Sequence, residues 1–474
     1  MTNFETIKQA SERWITEGKA YKNALNDWLD MIYIDQKQPE TECPEETRKD
    51  MGNYVKDQII EFNKQGKYKE LRALFPPDSD PMNWENLTPE AVIQIAVLPD
   101  YRVVATVEKR DRSKVVYIIQ DNTTTVEEGI FMFGRSFDKK YFARVSEQKI
   151  DVVEGWDGPV VASFKSPDTY GEEFQSKHPS IKEGLSQRNF NSMKLQQVVV
   201  FASGKRVAIA SEVGIFILNE SGSQFIQTEQ RKTEDAADEY DEEDEDGFTF
   251  GYDYPHVAVS PDDMYLAVGS QSSNHLVLKE ENGIWNAIAS VEPRSSYPNL
   301  AAFNYGIKDN GEQNDGPQLV LASCHFGGSA TVSLPIKHIV PGFFASGYNA
   351  DDTLNYVDLK KWVFSIGLYS WGYGLGCNDG YIWFKYFNGY QYGYLHVGGT
   401  VMSIDFSEDR KIMAVASYDG QVILYDVEVF PNGSIFRMEA NREDKRKDDY
   451  AITNTSLVDQ KRFLFWHGHE PMVW

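Results

Sequence analysis

The chain has 474 residues, 41% of them hydrophobic and 13% aromatic, a balance that supports a buried core and excludes general disorder. Its formal charge of -25 opposes nucleic-acid phosphates and anionic membranes as partners, and suits attraction to basic proteins. The three cysteines, Cys43, Cys324 and Cys377, lie far apart with no C-x-x-C, which argues against a disulfide framework or a cysteine zinc site and for a reducing cytoplasm.

The start, Met1 to Glu5, shows no basic and then apolar leader, so no signal peptide is expected. No apolar run approaches the ~18 residues of a membrane span. Residues 1–85 read as a helical N-terminal region. Ile7, Trp14, Ile15, Tyr21, Leu25, Trp28 and Leu29 recur at helical spacing, and Tyr54, Val55, Ile59, Ile60, Phe62, Leu71 and Leu74 continue the pattern. Pro39, Pro44, Pro76 and Pro77 punctuate it. Such a stripe is expected to pack as a cap on the body that follows.

From about residue 88 the period drops to two, and residues 86–474 read as one repeat domain. The repeating unit is an apolar strand, a polar turn, a second strand ending in small residues, another turn and a third strand. Its clearest copies are Val401–Asp426 and His256–Leu278. Weaker copies begin near Ile93, Phe131, Gln197, Leu300 and Trp362, which makes about seven. One such sheet cannot bury both faces alone, but sheets arranged radially can cover one another.

The two clear copies resemble WD40-type propeller repeats. Ser260-Pro261-Asp262-Asp263 stands where that family has a Ser-Pro-Asp-Gly turn, and Ser417-Tyr418-Asp419-Gly420 matches its Ser-x-Asp-Gly turn. Tyr425-Asp426 matches the terminal Trp-Asp, whereas no unit has the Gly-His dipeptide in its usual place. The resemblance implies an all-β, seven-bladed propeller after the helical start, with the first strand of each unit lining a channel. It further implies that the turns between second and third strands share a binding face with the links between blades. The family tends to close its ring by letting both chain ends share a blade, so Arg462–Trp466 and Met472–Trp474 are expected beside the last unit.

The most unusual segment lies in the loop 231–250. Residues 234–246 hold ten carboxylates and no base: Glu234, Asp235, Asp238, Glu239, Asp241, Glu242, Glu243, Asp244, Glu245 and Asp246. It joins the third and fourth units, so the implied layout puts it on the binding face as an electrostatic lure or as a solvated insertion. Turn residues assigned to that face are Tyr418, Asp419, Asn378, Asp379, His325, Phe326, Asn274 and His275.

Chemistry is sparse. Glu242, Asp244, Asp246, Gly247 and Asp253 follow a calcium-loop spacing, but with Glu first, Asp last and no flanking helices. His467 and His469 could converge from one strand face, yet no third ligand is identifiable. Cys324 and His325 are strand neighbours and point apart, so a buried Cys324 is favoured over a nucleophile–base pair. Gly372, Gly374 and Gly376 lack the spacing of a nucleotide loop and read as close packing between blades. No metal and no cofactor is expected.

The leading expectation is a non-catalytic, monomeric scaffold that binds another protein, one of basic character, and neither nucleic acid nor membrane. A narrower version is a bacterial immunity or antitoxin-type protein that neutralises a basic toxin. The competing classes are a metal-dependent hydrolase using Asp405 and His256 at inner strands, and a structural assembly scaffold.

Overall fold

A computed structural model describes residues 6–33, 37–77, 87–168, 185, 188–226, 253–271, 273–292, 297–304, 317–325, 328–346, 354–358, 361–369, 372–386, 391–409, 411–426 and 461–474. Three helices come first: α1 (Ile7–Tyr33), α2 (Gly52–Lys64) and α3 (Tyr68–Leu74). Strands follow, in six sheets among the described residues.

The first sheet runs β1 (Ala91–Val97), β2 (Val103–Glu108), β3 (Lys114–Gln120) and β4 (Thr123–Val126). An eight-stranded sheet contains two meanders. One is β5 (Met132–Arg135), β6 (Tyr141–Val145), β7 (Lys149–Glu154) and β8 (Val160–Lys165), and the other is β9 (Leu195–Val200), β10 (Arg206–Ser211), β11 (Gly214–Asn219) and β12 (Gly222–Ile226). A single parallel pair, Arg135 with Val199, joins them.

The next sheet holds β13 (His256–Val259), β14 (Tyr265–Gly269), β15 (His275–Glu281) and β16 (Ile284–Glu292). Then come β17 (Tyr297–Asn304), β18 (Gln318–His325) and β19 (Gly328–Pro335). After them β20 (Phe343–Ser346) returns to pair in parallel with β16, and β21 (Asn355–Asp358) completes the sheet of β19. The fifth sheet is β22 (Val363–Tyr369), β23 (Gly372–Cys377), β24 (Tyr381–Tyr386) and β25 (Gln391–His396). The last is β26 (Val401–Phe406), β27 (Ile412–Ser417), β28 (Gln421–Asp426), β29 (Lys461–Leu464) and β30 (Met472–Val473).

Alternation along each strand feeds two cores at once, because successive side chains leave opposite faces. In β10, Val207 and Ile209 pack toward β5–β8, whereas Ala208 and Ala210 pack toward β13–β16. In β27, Met413 and Val415 face β22–β25, whereas Ala414 and Ala416 face β1–β3. Strands buried on both faces read as unbroken apolar runs, which is the run visible in the sequence. The cores succeed one another around a circle, and Val92, Val103, Phe463 and Phe465 close it between the last sheet and the first.

Polar side chains tie neighbouring inner strands together. The Val257 amide donates to Gln197 Oε1 at 2.9 Å, Asn299 Nδ2 donates to the Val363 carbonyl at 2.6 Å, and Ser365 Oγ donates to the Val401 carbonyl at 2.9 Å. Across the seam between ends, the Ile95 amide donates to Ser403 Oγ at 3.3 Å and the Val97 amide to Asp405 Oδ2 at 2.7 Å. The turns after inner strands also repeat one design. Ser136, Ser260 and Ser407 each donate to an Asp two residues on and accept the amide five residues on.

The glycine run 372–376 is itself a strand, β23, and not a link between strands. Its glycines answer crowding: a Cβ on Gly376 would lie 2.5 Å from Val401 Cγ1 and 2.2 Å from Ser365 Oγ.

The chain ends meet as expected. β29 pairs with β28, the Glu90 amide donates to the Phe465 carbonyl at 2.9 Å, and the His467 amide donates to the Thr88 carbonyl at 2.9 Å. The helices then cover the C-terminal strands. Asn63 on α2 donates to the Val473 carbonyl at 2.8 Å and accepts its amide at 2.7 Å, as another strand would. Trp14 and Trp474 pack together and donate to the carbonyls of Pro76 and Phe75 at 2.9 and 2.7 Å. The Arg48 guanidinium sits 4.5 Å from the Trp14 ring, paired with Glu46 at 2.7 Å, both buried. Further along α1, Leu25 and Leu29 join the core of β18, β22 and β23. Trp14→Ala should therefore cost about 3–5 kcal/mol, read as a lower urea midpoint with an unchanged m-value.

Candidate partner-binding face

Every inner strand runs the same way around the ring, so the starts of β13, β17 and β26 share an end. Turns from second to third strands return to that end, because the second strand is antiparallel to the first. Here a central cavity of about 690 Å³ is lined by residues of β1, β5, β9, β13, β17, β22 and β26. Its lining includes Tyr254, just before β13, and Tyr418, in the turn after β27. These tyrosines are 64% and 59% exposed, and Tyr297, at the start of β17, is 37% exposed. Exposed aromatic rings on a rigid frame are the side chains that anchor protein interfaces.

The Tyr418 turn is held from below. Ser417 Oγ donates to Asp419 Oδ1, Gln421 Nε2 donates to Asp419 Oδ2 at 2.7 Å, and Gly420 supplies the left-handed φ of 79°. A Cβ on Gly420 would lie 2.6 Å from the Phe465 carbonyl oxygen, so the turn also abuts the C-terminal segment. Asp419 thus fixes the loop, and Tyr418 projects from it.

The turn at Asn378 and Asp379 follows the same logic. The Asn378 carbonyl accepts from Thr400 Oγ1 at 2.9 Å, Asp379 Oδ1 accepts the Tyr381 amide at 3.3 Å, and Lys361 lies 3.6 Å from Asp379. Both residues are exposed. Lys361 also lies 4.3 Å from the centre of the Trp383 ring. Asn274 is half-buried, and its Nδ2 donates to Ser290 Oγ at 3.1 Å.

At the opposite end the channel is crossed by charge. Asp405 Oδ1 accepts from Arg135 Nη2 at 3.0 Å, and its Oδ2 accepts from Lys139 Nζ at 2.7 Å as well as from the Val97 amide. Burial works to raise the Asp405 pKa, but the charges of Arg135 and Lys139 hold it below the usual carboxylate value. Burial lowers the Lys139 ammonium despite the same carboxylate.

A family profile described as "WD domain, G-beta repeat" matches residues 393–426, which contain β26 to β28 and the Ser417–Gly420 turn. Residues 393–426 thus form a WD40-type repeat, within a ring of sheets that has the architecture of a β-propeller. A solved structure titled "Structure of Dos1 propeller" is similar over 62% of this chain and 68% of that one, at 10% identity and a TM-score of 0.39. No curated protein matches the sequence.

One residue assigned from sequence to the propeller's binding face is buried instead. His275 is the first residue of β15 and fully buried, bonded to His256 and Ser323, so it offers no surface. His325 ends β18 opposite Gly328, while Phe326 and the loop 231–250, including residues 234–246, lie outside the described residues. Cys324 is half-buried, and burial raises its thiol pKa. His467 Nδ1 lies 3.3 Å from Glu90 Oε1, whereas the His469 ring meets the edge of Trp466, so the two histidines serve different contacts. Among the described residues no helix is long and apolar enough to cross a membrane.

Tyr254 and Tyr297 carry no turn signature in the sequence. Tyr254 lies two residues before β13 and Tyr297 starts β17, where a tyrosine reads as part of the apolar run.

Proposed function

We propose that this propeller is a non-catalytic, cytoplasmic, monomeric scaffold that binds a basic partner protein through the face holding Tyr254, Tyr297 and Tyr418. We count the two meanders of the eight-stranded sheet as separate blades, which makes seven. The observation that carries the reading is the pair of well-exposed tyrosines lining the central cavity, Tyr418 on a turn held by its own polar groups. The run of ten carboxylates at 234–246 ends seven residues before Asp253 in the sequence and adds to the acidic charge of the chain. Opposite charge on a partner speeds encounter, and buried tyrosines then slow dissociation.

Affinity capture from the native host with wild-type protein and with Tyr254→Ala/Tyr418→Ala tests this. One stoichiometric, basic partner is expected with the wild type. The double variant should bind at least tenfold more weakly, about 1.4 kcal/mol or more, with an unchanged melting temperature. Replacing the ten carboxylates by Ser and Asn should chiefly lower the association rate and its salt dependence. A partner bound equally by all three proteins would refute the assigned face.

A further inference from the structure

A strip of polar side chains crosses the otherwise apolar junction between the sheet of β13–β16 and the sheet of β17–β19. Nε2 of His256 lies 3.0 Å from Nδ1 of His275, and Nε2 of His275 lies 3.0 Å from Oγ of Ser323 on β18. All three are buried, His256 at 2% and His275 at 0% exposure. Around them lie Ala258, Leu319 and Leu321, which share the core of this junction. His256 Nδ1 is buried and makes no hydrogen bond.

That orphan atom selects one proton arrangement. If His256 carries its proton on Nε2, it donates to His275 Nδ1, and His275 Nε2–H donates to Ser323. Only a bare ring lone pair is then left unpaired. The reverse arrangement would bury an unpaired N–H at His256 Nδ1, which costs more. Both rings are neutral in either case, and an added proton has no acceptor waiting for it.

Among the described side chains no carboxylate offsets a charge on His256, whose pKa is set by burial. The chargeable groups on the surrounding elements are Asp253, exposed on the link before β13; Tyr265 on β14; Lys279, Glu280 and Glu281 in the second half of β15; Glu292 at the end of β16; Tyr297 and Cys324, paired across β17 and β18; and His325 at the end of β18. Gln197, which reaches in from β9, is uncharged and holds the Val257 amide.

We propose that the His256–His275–Ser323 chain is an acid-sensitive latch between these two sheets, which releases when His256 takes up a proton. Burial alone lowers the His256 pKa from 6.5 to about 3 in the closed structure. The sign follows from linkage. An opened junction binds the proton at the ordinary value and the closed one does not, so stability of the junction is full above about pH 6.5 and falls below it. One linked proton makes opening about tenfold more favourable per pH unit. The junction lies beside Tyr254, Asn274 and Tyr297, so acid would disturb the proposed binding face. The latch itself does not depend on that assignment.

Hydrogen exchange of the full chain between pH 7.5 and 5, corrected for intrinsic rates, tests the latch. Amides in 256–269 and 318–325 should exchange about tenfold faster per unit below pH 6.5, while those in 412–426 hold steady. His256→Gln places an amide donor where Nε2 stood and removes the titration, so its profile should be flat. If that variant does not fold, carbon-13 labelling of histidine in the wild type replaces it. The His256 ring should then stay neutral until the junction opens. A pH response shared by all sheets, one that survives in His256→Gln, no response at all, or a His256 ring that titrates near 6.5 in the closed protein would overturn the proposal.

Discussion

Deletion of residues 461–474 should abolish cooperative unfolding and leave a chain that binds hydrophobic dyes. The segment supplies β29, the fourth strand of the last blade, and its loss exposes the edge of β28. It also carries Phe463, Phe465, Trp466, Met472 and Trp474, all buried. At roughly 2 kcal/mol each, these five side chains account for about 10 kcal/mol, comparable with the whole stability of a typical domain. The loss reaches in two directions, because Phe463 and Phe465 fill the seam with the first blade while Trp466 and Trp474 fill the core under the helices. Differential scanning calorimetry is the direct check. A truncated chain with a sharp transition near that of the full protein would show that the helices and the last three strands suffice.

Asp405→Ala should cost about 3–5 kcal/mol, the largest effect expected of any single charged residue described in this ring. The carboxylate joins three blades through the Val97 amide, Arg135 and Lys139, and removing it leaves the Lys139 ammonium buried without its counter-charge. Arg135 is more exposed and can turn toward solvent. Asp405→Leu combined with Lys139→Met should recover most of the loss, since an apolar pair avoids the desolvation cost of both charges. The pH dependence has a definite sign. Because the folded pKa of Asp405 is lowered, its contribution is complete above about pH 4 and fades as pH falls through the folded value. Denaturant titrations of the single and double variants at two pH values separate these terms. Equal losses in both variants would mean that packing, not charge, sets the cost.

The scaffold was readable in the sequence where one strand carries the whole signal. Val207–Ser211 and Ile412–Ser417 are apolar on both faces, and the Ser-x-Asp turns at 136, 260 and 407 mark where inner strands end. The helical start and the returning C-terminus were readable for the same reason. What stayed hidden depends on contacts across long separations. Asp405 meets Arg135 from 270 residues away, and His256 meets His275 only because β13 and β15 flank β14 in register. The glycine strand β23 hid because its sequence carries little side-chain pattern, its neighbours filling the space instead. Of the proposed face, Tyr418 is legible as the exposed residue of a turn, while the burial of His275 is not, since its partners His256 and Ser323 lie 19 and 48 residues away.

Closure of the ring is most directly tested by a short bifunctional maleimide on Tyr101→Cys/Asp409→Cys, in a background lacking Cys43, Cys324 and Cys377. Tyr101 follows β1 and Asp409 follows β26, and their side chains are 2.6 Å apart across the seam between first and last blades. A closed circle gives one intramolecular product that holds the two ends together after proteolysis. An open row of sheets would leave the two cysteines far apart and the protein uncrosslinked.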